Sequence, residues 1–282
     1  MSVQMIQERL RSYACGSVQE EDHAIREITQ EVILAALSRT GFFGHALFQG
    51  GTCLRVFHGL NRFSEDLDFI LNDPDPGFDL GPFLNGIVTE LHAFGYRPEI
   101  NDRSSSDSTV KKAFIKDDSL GKLVQFSYTA RTGPAKKIRI KIEVDVNPPA
   151  GTGTELHYLD FPFVASVAVQ DPPSLFAGKI HALLCRRYDK GRDWYDFLWY
   201  TAHRTRVNYV FLSSALMQLG PWKGDTLRCD TEWVGRELSK KIKQIDWGAI
   251  VADVRDFVPI SEHRSLELWS SELFLAQVLK IR

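Results

Sequence analysis

The chain has 282 residues, of which 44% are hydrophobic and 25% are charged, and its formal net charge is −2. This balance is typical of a globular protein with one or two domains, and it excludes a chain that attracts nucleic acid through its overall charge. The four cysteines are scattered and form no Cys-x-x-Cys pair, which argues against a zinc site or a disulfide framework. No apolar signal segment and no stretch of transmembrane length is present, so we expect a cytoplasmic protein without membrane association.

Two helices are predicted before the first strand. The first covers residues 1–11, and the second begins near Asp22, a residue type suited to an N-cap. Helical spacing predicts that one apolar stripe of the second helix packs on the rest of the domain. The residues of this stripe are Ile25, Ile28, Val32 and Ala36.

A glycine pair follows the first predicted strand, residues 46–48. Gly50 and Gly51 lack the Cβ atoms that would keep a phosphate away from the backbone. Thr52 is predicted to open a short helix over residues 53–58, and the first N–H groups of a helix can bind an anion. The pattern therefore predicts a phosphate-binding loop.

The next predicted strand carries an Asp-x-Asp sequence. Asp66 and Asp68 lie on one face, while Leu67, Phe69 and Leu71 point to the core. Neighbouring carboxylates repel each other unless a cation lies between them, and oxygen ligands suit Mg²⁺. A glycine loop that holds a triphosphate, beside carboxylates that hold a metal, is the combination that nucleotidyl transfer needs. The alternative is a surface Asp pair and an unrelated turn, which either half alone would favour.

A family resemblance rests on these residues. Gly50-Gly51-Thr52, followed by Arg62-Phe63-Ser64-Glu65-Asp66-Leu67-Asp68, closely resembles the first motif of the AbiEii/AbiGii-type nucleotidyltransferase toxins. These toxins belong to the DNA polymerase β-like nucleotidyltransferase superfamily. The resemblance implies that the glycine loop binds the nucleotide phosphates, with assistance from Ser64, and that Asp66 and Asp68 bind the metal.

The segment after this motif alternates between predicted elements and turns. A helix is expected over residues 83–94, and residues 101–108 are polar and serine-rich, which favours a loop that is either an inert linker or a lid. Residues 110–127 predict two strands joined by a turn at residues 117–121, and a second turn is expected at residues 132–134.

The strand predicted over residues 136–147 alternates between apolar and polar positions. Its core-facing residues are Ile138, Ile140, Ile142, Val144 and Val146. Glu143 and Asp145 face outward. The family resemblance implies a third carboxylate that completes the metal site, placed at Glu143 with Asp145 as a second candidate. A solvated strand face is the alternative.

A domain boundary is predicted at Pro172-Pro173, after a short apolar strand over residues 164–169. A helix over residues 174–188 would place Lys179 and Arg186 on one face, since they are seven positions apart. A further helix is expected from Arg192 through Trp199.

Lys179, Arg186, Arg192, Asp193 and Asp196 resemble a second motif of the same toxin family, a lysine helix followed by an Arg-Asp-x-x-Asp helix. Lys179 could neutralise triphosphate charge, and Arg192 could make bidentate phosphate contacts. Asp193 or Asp196 could orient Lys179 or the acceptor hydroxyl. A helix cap is the alternative for Asp193, and an ion pair with Arg192 or Arg186 is the alternative for Asp196.

The rest of the chain is predicted to be helical, over residues 210–219, 232–245, 250–257 and 266–281. Lys240, Lys241 and Lys243 form a basic run that could contact a phosphate backbone, although a run of this kind is more often a solvated helix face.

The predicted fold class is α/β, with an N-terminal mixed-sheet nucleotidyltransferase domain over residues 1–170 and a C-terminal helical domain over residues 171–282. The resemblance implies a toxin of a toxin–antitoxin or abortive-infection system. Such a toxin would transfer a nucleoside monophosphate from an NTP to RNA, foremost the 3′ end of tRNA. It further implies Mg²⁺ as cofactor, with Mn²⁺ as an alternative, and a cognate antitoxin as partner. The competing functions are a protein-nucleotidylylating enzyme, a non-catalytic RNA-binding module and an antibiotic-modifying nucleotidyltransferase.

Overall fold

The chain divides into two compact units. The structure, a computed structural model, describes residues 2–104, 109–117, 119, 124–128 and 137–282. The first unit, here called the sheet unit, consists of residues 1–56, 64–148 and 156–169. The second, here called the helical unit, consists of residues 57–63, 149–155 and 170–282. The domain boundaries predicted from the sequence stay a prediction.

Seven strands form one mixed sheet. They are β1 (Ala46–Gln49), β2 (Asp66–Leu71), β3 (Glu99–Asp102), β4 (Val110–Asp117), β5 (Ile138–Asp145), β6 (Thr154–Leu159) and β7 (Ala165–Gln170). Their order is β3-β4-β5-β2-β1-β7-β6. The β2–β5 and β1–β7 pairs are parallel, whereas β1–β2, β3–β4 and β4–β5 are antiparallel. The α/β class with a mixed sheet is therefore confirmed.

The predicted alternation along β5 is confirmed. Ile138, Ile140, Ile142, Val144 and Val146 are all buried. The face carrying Leu67, Phe69 and Leu71 in β2 is buried as well. Because both central strands bury one face in this way, their polar residues are left on the opposite face of the sheet.

Four helices lie in the described residues of the first part of the chain. They are α1 (Ser2–Ser12), α2 (Val18–Arg39), α3 (Gly50–His58) and α4 (Gly81–Ala93). The predicted apolar stripe of α2 is buried, but the prediction that Asp22 caps this helix is wrong. Ser17 is the N-cap and accepts the N–H of Glu20, whose carboxylate in turn accepts the N–H of Gly16. This reciprocal pairing starts the helix earlier, and Asp22 pairs with Arg26 one turn later.

Two strand predictions need correction. Asn101 and Asp102, predicted to lie in a loop, belong to the edge strand β3, where they pair with Phe114 and Ala113 of β4. An edge strand tolerates polar residues because one side of it meets solvent, so its sequence resembles a loop. The second strand predicted within residues 110–127 is absent from the described residues 119 and 124–128. Residues 105–108, 120–123 and 132–134, part of these predictions, lie outside the described residues.

The later helices form the helical unit. They are α5 (Pro172–Cys185), α6 (Gly191–Ala202), α7 (Tyr209–Gln218), α8 (Thr231–Ile242), α9 (Trp247–Arg255), α10 (His263–Leu266) and α11 (Ser271–Val278). Aromatic rings fill its core: Trp194 lies 5.3 Å from both Trp247 and Phe274, measured between ring centroids. None of the helices in the described parts of the chain is long and apolar enough to cross a membrane.

Two helix predictions in this unit were too long. The helix predicted to end at residue 188 stops at Cys185, and Arg186 is extended, so Arg186 does not share a helix face with Lys179. The helix predicted over residues 266–281 is confined to α11 (Ser271–Val278), because α10 ends at Leu266. The side chain of Ser270 accepts the N–H of Leu273 and caps α11, which fixes where this helix begins.

Candidate active site

The glycine loop lies directly against the Asp-x-Asp strand. Helix α3 begins at Gly50, before the predicted start at Thr52, and Gly50 has a φ of 79°. A Cβ atom at Gly50 would lie 2.7 Å from Oδ2 of Asp68. The first residue of the helix must therefore be glycine for two reasons, its left-handed conformation and the close approach of a carboxylate. The helix N-terminus and Asp68 are brought together as predicted.

The hydroxyls of Thr52 and Ser64 are used inside the protein. Thr52 is completely buried, and its hydroxyl donates to the carbonyl oxygen of Asp66 and lies 2.9 Å from the hydroxyl of Ser64. These contacts tie the start of α3 to the start of β2. The anion-binding groups that the loop can offer are therefore the backbone N–H groups of the first helical turn, rather than the two hydroxyls.

Two residues that sequence reasoning missed fix this loop. The side-chain amide of Gln30 on α2 donates to the carbonyl oxygens of Ser64 and Glu65, both at 2.9 Å. Arg55 on α3 pairs with Glu27 on α2 at 3.0 Å. No sequence pattern pointed to Gln30, because helical spacing places it off the predicted apolar stripe of α2, and its complete burial is seen only in the structure.

The parallel pairing of β2 and β5 builds an acidic face. Asp68 is opposite Glu143, and Asp66 is opposite Lys141. Asp145 is opposite Ile70, one step beyond the aspartate pair, and its carboxylate accepts the N–H of Asn147 at 2.9 Å. The register thus places Glu143, and not Asp145, beside Asp68.

Two lysines also lie on this acidic face. Nζ of Lys141 is 2.6 Å from Oε2 of Glu143 and 3.9 Å from Oδ2 of Asp66. Nζ of Lys112 on β4 is 3.0 Å from Oε1 of Glu143. Burial alone would raise the pKa of Glu143, but the two ammonium groups outweigh it and hold this pKa below its ordinary value. The alternation predicted along β5 places Lys141 on this face, together with Glu143.

The acidic face fits a divalent cation through its chemistry. Asp66, Asp68 and Glu143 offer the oxygen ligands that Mg²⁺ prefers. Within the described residues, no three Asp, Glu, His or Cys side chains already converge as a metal site. The ammonium of Lys141 lies where it contacts Glu143 and approaches Asp66, so this face already holds positive charge.

The second motif forms a buried charge cluster within the helical unit. Nζ of Lys179 on α5 lies 2.6 Å from Oδ1 of Asp193 and 2.8 Å from Oδ2 of Asp196, both on α6. The guanidinium of Arg62 donates hydrogen bonds to both carboxylate oxygens of Asp196, at 2.6 and 2.7 Å. The side chains of Asp196 and Arg62 are only 0% and 3% exposed. Lys179, Asp193 and Asp196 are thus brought together as the sequence predicted.

The electrostatics of the cluster keep Lys179 and Asp193 ionised. Burial alone would lower the pKa of Lys179, but Asp193 and Asp196 outweigh it and raise this pKa, so the ammonium persists. Burial alone would raise the pKa of Asp193, but Lys179 and Arg186 outweigh it and lower this pKa. Nη1 of Arg186 lies 2.5 Å from Oδ2 of Asp193.

Two arginines differ from the sequence interpretation. The partners considered for Asp196 were Arg192 and Arg186, whereas the structure gives it Arg62 and Lys179. Arg192 instead places its guanidinium 4.2 Å from the ring centroid of Phe257. Arg62 lies within the first motif, yet its partner is 134 positions away, and no local pattern could connect them.

Comparisons with known proteins agree with this architecture. Two crystal structures from Helicobacter pylori match with a TM-score of 0.51 and 16% identity. One is the structure of a nucleotidyltransferase candidate, and the match covers 90% of this chain and 89% of that protein's chain. The other is the structure of JHP933, and the match covers 91% of this chain and 88% of the JHP933 chain. At this identity they show a shared fold alone. No curated protein gives a significant match.

A family model extends over both motifs. It describes the nucleotidyl transferase AbiEii toxin of a type IV toxin–antitoxin system and matches residues 32–276. This range includes the glycine loop, the acidic face and the buried charge cluster. Since the match spans most of the chain, the protein belongs to the AbiEii nucleotidyl transferase toxin family of type IV toxin–antitoxin systems.

Proposed function

We propose that this toxin transfers a nucleoside monophosphate from an NTP to an RNA acceptor, foremost the 3′ end of tRNA. In the cytoplasm this would block translation and give an abortive-infection response. Family membership implies the NTP substrate and the antitoxin partner. The observation that carries the donor half of the proposal is the approach of Gly50 to Asp68, which joins a helix N-terminus to a pair of carboxylates. The acceptor rests on the family resemblance.

The glycine loop would bind the phosphates of the NTP. Gly50, Gly51 and Thr52 contribute backbone N–H groups at the start of α3, where the helix dipole also favours negative charge. The buried hydroxyls of Thr52 and Ser64 would keep these groups in place, because they link the loop to the first residue of β2. Ser64 is therefore proposed to assist through Thr52.

Asp66, Asp68 and Glu143 would hold Mg²⁺ or Mn²⁺. A bound divalent cation would neutralise phosphate oxygens and stabilise the charge that develops on the leaving pyrophosphate. Asp68 and Glu143 are register partners on adjacent strands, whereas Asp145 is opposite Ile70. We therefore propose Glu143 rather than Asp145 as the third ligand.

Lys179 and Arg192 would contact the nucleotide. Lys179 keeps its charge because two aspartates hold its ammonium, and 12% of its side chain remains exposed. Asp193 and Asp196 are proposed to orient this ammonium. Asp196 is fully buried and gripped by Arg62, so it would position Lys179 rather than touch substrate.

Incubation with each α-phosphate-labelled NTP, Mg²⁺ or Mn²⁺, and either tRNA or total protein tests the proposal. Label in tRNA, released by removal of the 3′-terminal nucleotide, is the expected result. Asp68→Asn should abolish labelling. Glu143→Gln should reduce it far more than Asp145→Asn, which removes a carboxylate from the same strand and serves as the matched control.

Two results would contradict the proposal. Label in protein but not in tRNA would assign the protein-nucleotidylylating activity instead. RNA binding without transfer from any NTP, by wild-type protein that is folded, would assign a non-catalytic RNA-binding module.

A further inference from the structure

Lys141 lies among the carboxylates that are proposed to bind metal. The parallel register of β2 and β5 sets it opposite Asp66 and two positions before Glu143 on the same strand face. We propose that Lys141 is the resident counter-cation of the acidic face, and that it leaves Glu143 to bind the triphosphate when the metal-loaded nucleotide arrives. This inference rests on the proposed function, because it requires the acidic face to hold a divalent cation.

The charges of the acidic face support this exchange. Three carboxylates, on Asp66, Asp68 and Glu143, share the face with the ammonium groups of Lys141 and Lys112. With Lys112 in place, exchanging the ammonium of Lys141 for a divalent cation raises the positive charge beside the three carboxylates from two to three. The carboxylate charges are then fully compensated, which removes the repulsion that remains among them in the metal-free state.

The geometry makes Lys141 able to leave. Among the described residues, its ammonium forms one hydrogen-bonded ion pair, with Glu143 at 2.6 Å, and it is 3.9 Å from Asp66. Its side chain is 27% exposed and flexible, and can change rotamer without opening the protein interior. Lys179 differs, because two aspartates hold it at 2.6 and 2.8 Å.

A released Lys141 has a defined use. Phosphate oxygens attract a compact ammonium strongly, and the glycine loop lies against Asp68 on the neighbouring strand. Lys141 would thus compete with metal in the empty enzyme and support the nucleotide in the loaded one. A lysine with only a structural role would show neither effect.

Titration of the nucleotide-free, full-length protein with Mn²⁺, followed by the EPR signal of free Mn²⁺, tests the first effect. Lys141→Met should bind Mn²⁺ roughly five- to tenfold more tightly than wild type, because a neighbouring positive charge has been removed. Lys116→Met is the matched control. Lys116 is an exposed lysine of β4 whose register partner is Arg139, away from Glu143, so its loss should leave Mn²⁺ affinity unchanged.

The second effect is measured with a non-hydrolysable NTP analogue at saturating Mn²⁺. Lys141→Met should bind it more weakly than wild type, opposite in sign to its effect on Mn²⁺. Lys141→Gln, which keeps a polar side chain without charge, should show the same two effects. It replaces the methionine variant if that variant folds poorly. Unchanged or weakened Mn²⁺ affinity in a folded variant would overturn the inference.

Asp68→Asn separates this inference from the proposed function. Wild-type protein that binds no Mn²⁺, or an Asp68→Asn variant that binds it as tightly as wild type, would refute the metal site and the inference together. Loss of Mn²⁺ binding in Asp68→Asn, with unchanged binding in Lys141→Met, would retain the metal site and refute only the role of Lys141.

Discussion

The acidic face of the sheet unit and the charge cluster of the helical unit use the same residue types in opposite ways. On the acidic face, Asp66 is 39% and Lys141 is 27% exposed, and the charges can exchange partners with a ligand. In the cluster, Asp196 is fully buried and Arg62 nearly so. In the cluster the positive and negative side chains pair with one another. Removal of one of them leaves its partner as an unpaired charge in the protein interior, which solvates charge poorly. Exposure, and not residue type, separates charges that can exchange partners from the Arg62–Asp196 pair, which can only position its neighbour Lys179.

The largest effect should come from the framework. Arg62→Met should lower the free energy of unfolding by about 3–5 kcal/mol, because the buried carboxylate of Asp196 loses both of its arginine hydrogen bonds. Urea denaturation followed by circular dichroism measures this loss. Arg192→Met is the control, since Arg192 is partly exposed and the stacking of its guanidinium on the Phe257 ring is worth about 0.5–1 kcal/mol. Equal losses in the two variants would contradict the contrast between buried and exposed charges.

The sequence predicts which residues belong to the acidic face and to the charge cluster, but it does not predict that the first is exposed and the second buried. Alternation along β5 and the spacing of Asp66 and Asp68 predict which residues share a face, since side-chain direction follows directly from backbone periodicity. Burial of Arg62 and Asp196 depends on chain segments 134 positions apart, and no periodicity reports such a contact. The choice between Glu143 and Asp145 likewise depends on the β2–β5 register, which is set by tertiary packing rather than by either strand alone.

A smaller effect should arise where the loop meets the acidic face. Gly50→Ala forces a residue with a Cβ into a left-handed conformation, at a cost of roughly 1–2 kcal/mol. Its Cβ would also lie 2.7 Å from Oδ2 of Asp68 and displace that carboxylate. Gly59→Ala is a matched control: Gly59 has a φ of 73°, but nothing lies within 4 Å of the added Cβ.

Both glycine variants should therefore lose similar stability, whereas transfer should fall in Gly50→Ala alone, by up to roughly a hundredfold because the carboxylate is misplaced. Thermal unfolding and nucleotide transfer, measured on the same preparations, separate the two effects. Equal transfer rates in the two variants would mean that the position of Asp68 is unimportant for the reaction.

Acidification should lower the free energy of unfolding, and part of this loss should come from protonation of Asp193 in the buried charge cluster. Its folded-state pKa is lowered below the ordinary value of 3.8, so it contributes stability above about pH 4. That contribution is lost as the pH falls through the lowered pKa, at about 1.4 kcal/mol for each unit by which the pKa is depressed. Asp193→Asn should be less stable than wild type at pH 7 and lose less on acidification to pH 2. Asp189→Asn, which removes a partly exposed partner of Lys241, should follow the wild-type profile. Urea denaturation across this pH range gives the comparison, and parallel curves for Asp193→Asn and wild type would contradict it.

The smallest effect concerns the acceptor, for which neither region supplies an observation. Lys240 pairs with Glu237 and Lys241 with Asp189, and all four side chains are at least partly reached by solvent, so each of these ion pairs is worth only about 0–1 kcal/mol. These lysines and Lys243 could therefore turn to an RNA backbone at little cost.

A triple change of the three lysines to glutamate should weaken tRNA binding and reduce its dependence on log salt concentration, by roughly one unit of slope for each phosphate that the variant no longer neutralises. The matched control carries the same change in net charge at the exposed residues Arg204, Lys223 and Lys280. NTP binding should be equal in both variants, because neither set belongs to the proposed donor site. An unchanged salt slope in the lysine variant, or the same reduction in the control, would remove this surface as the region that binds tRNA.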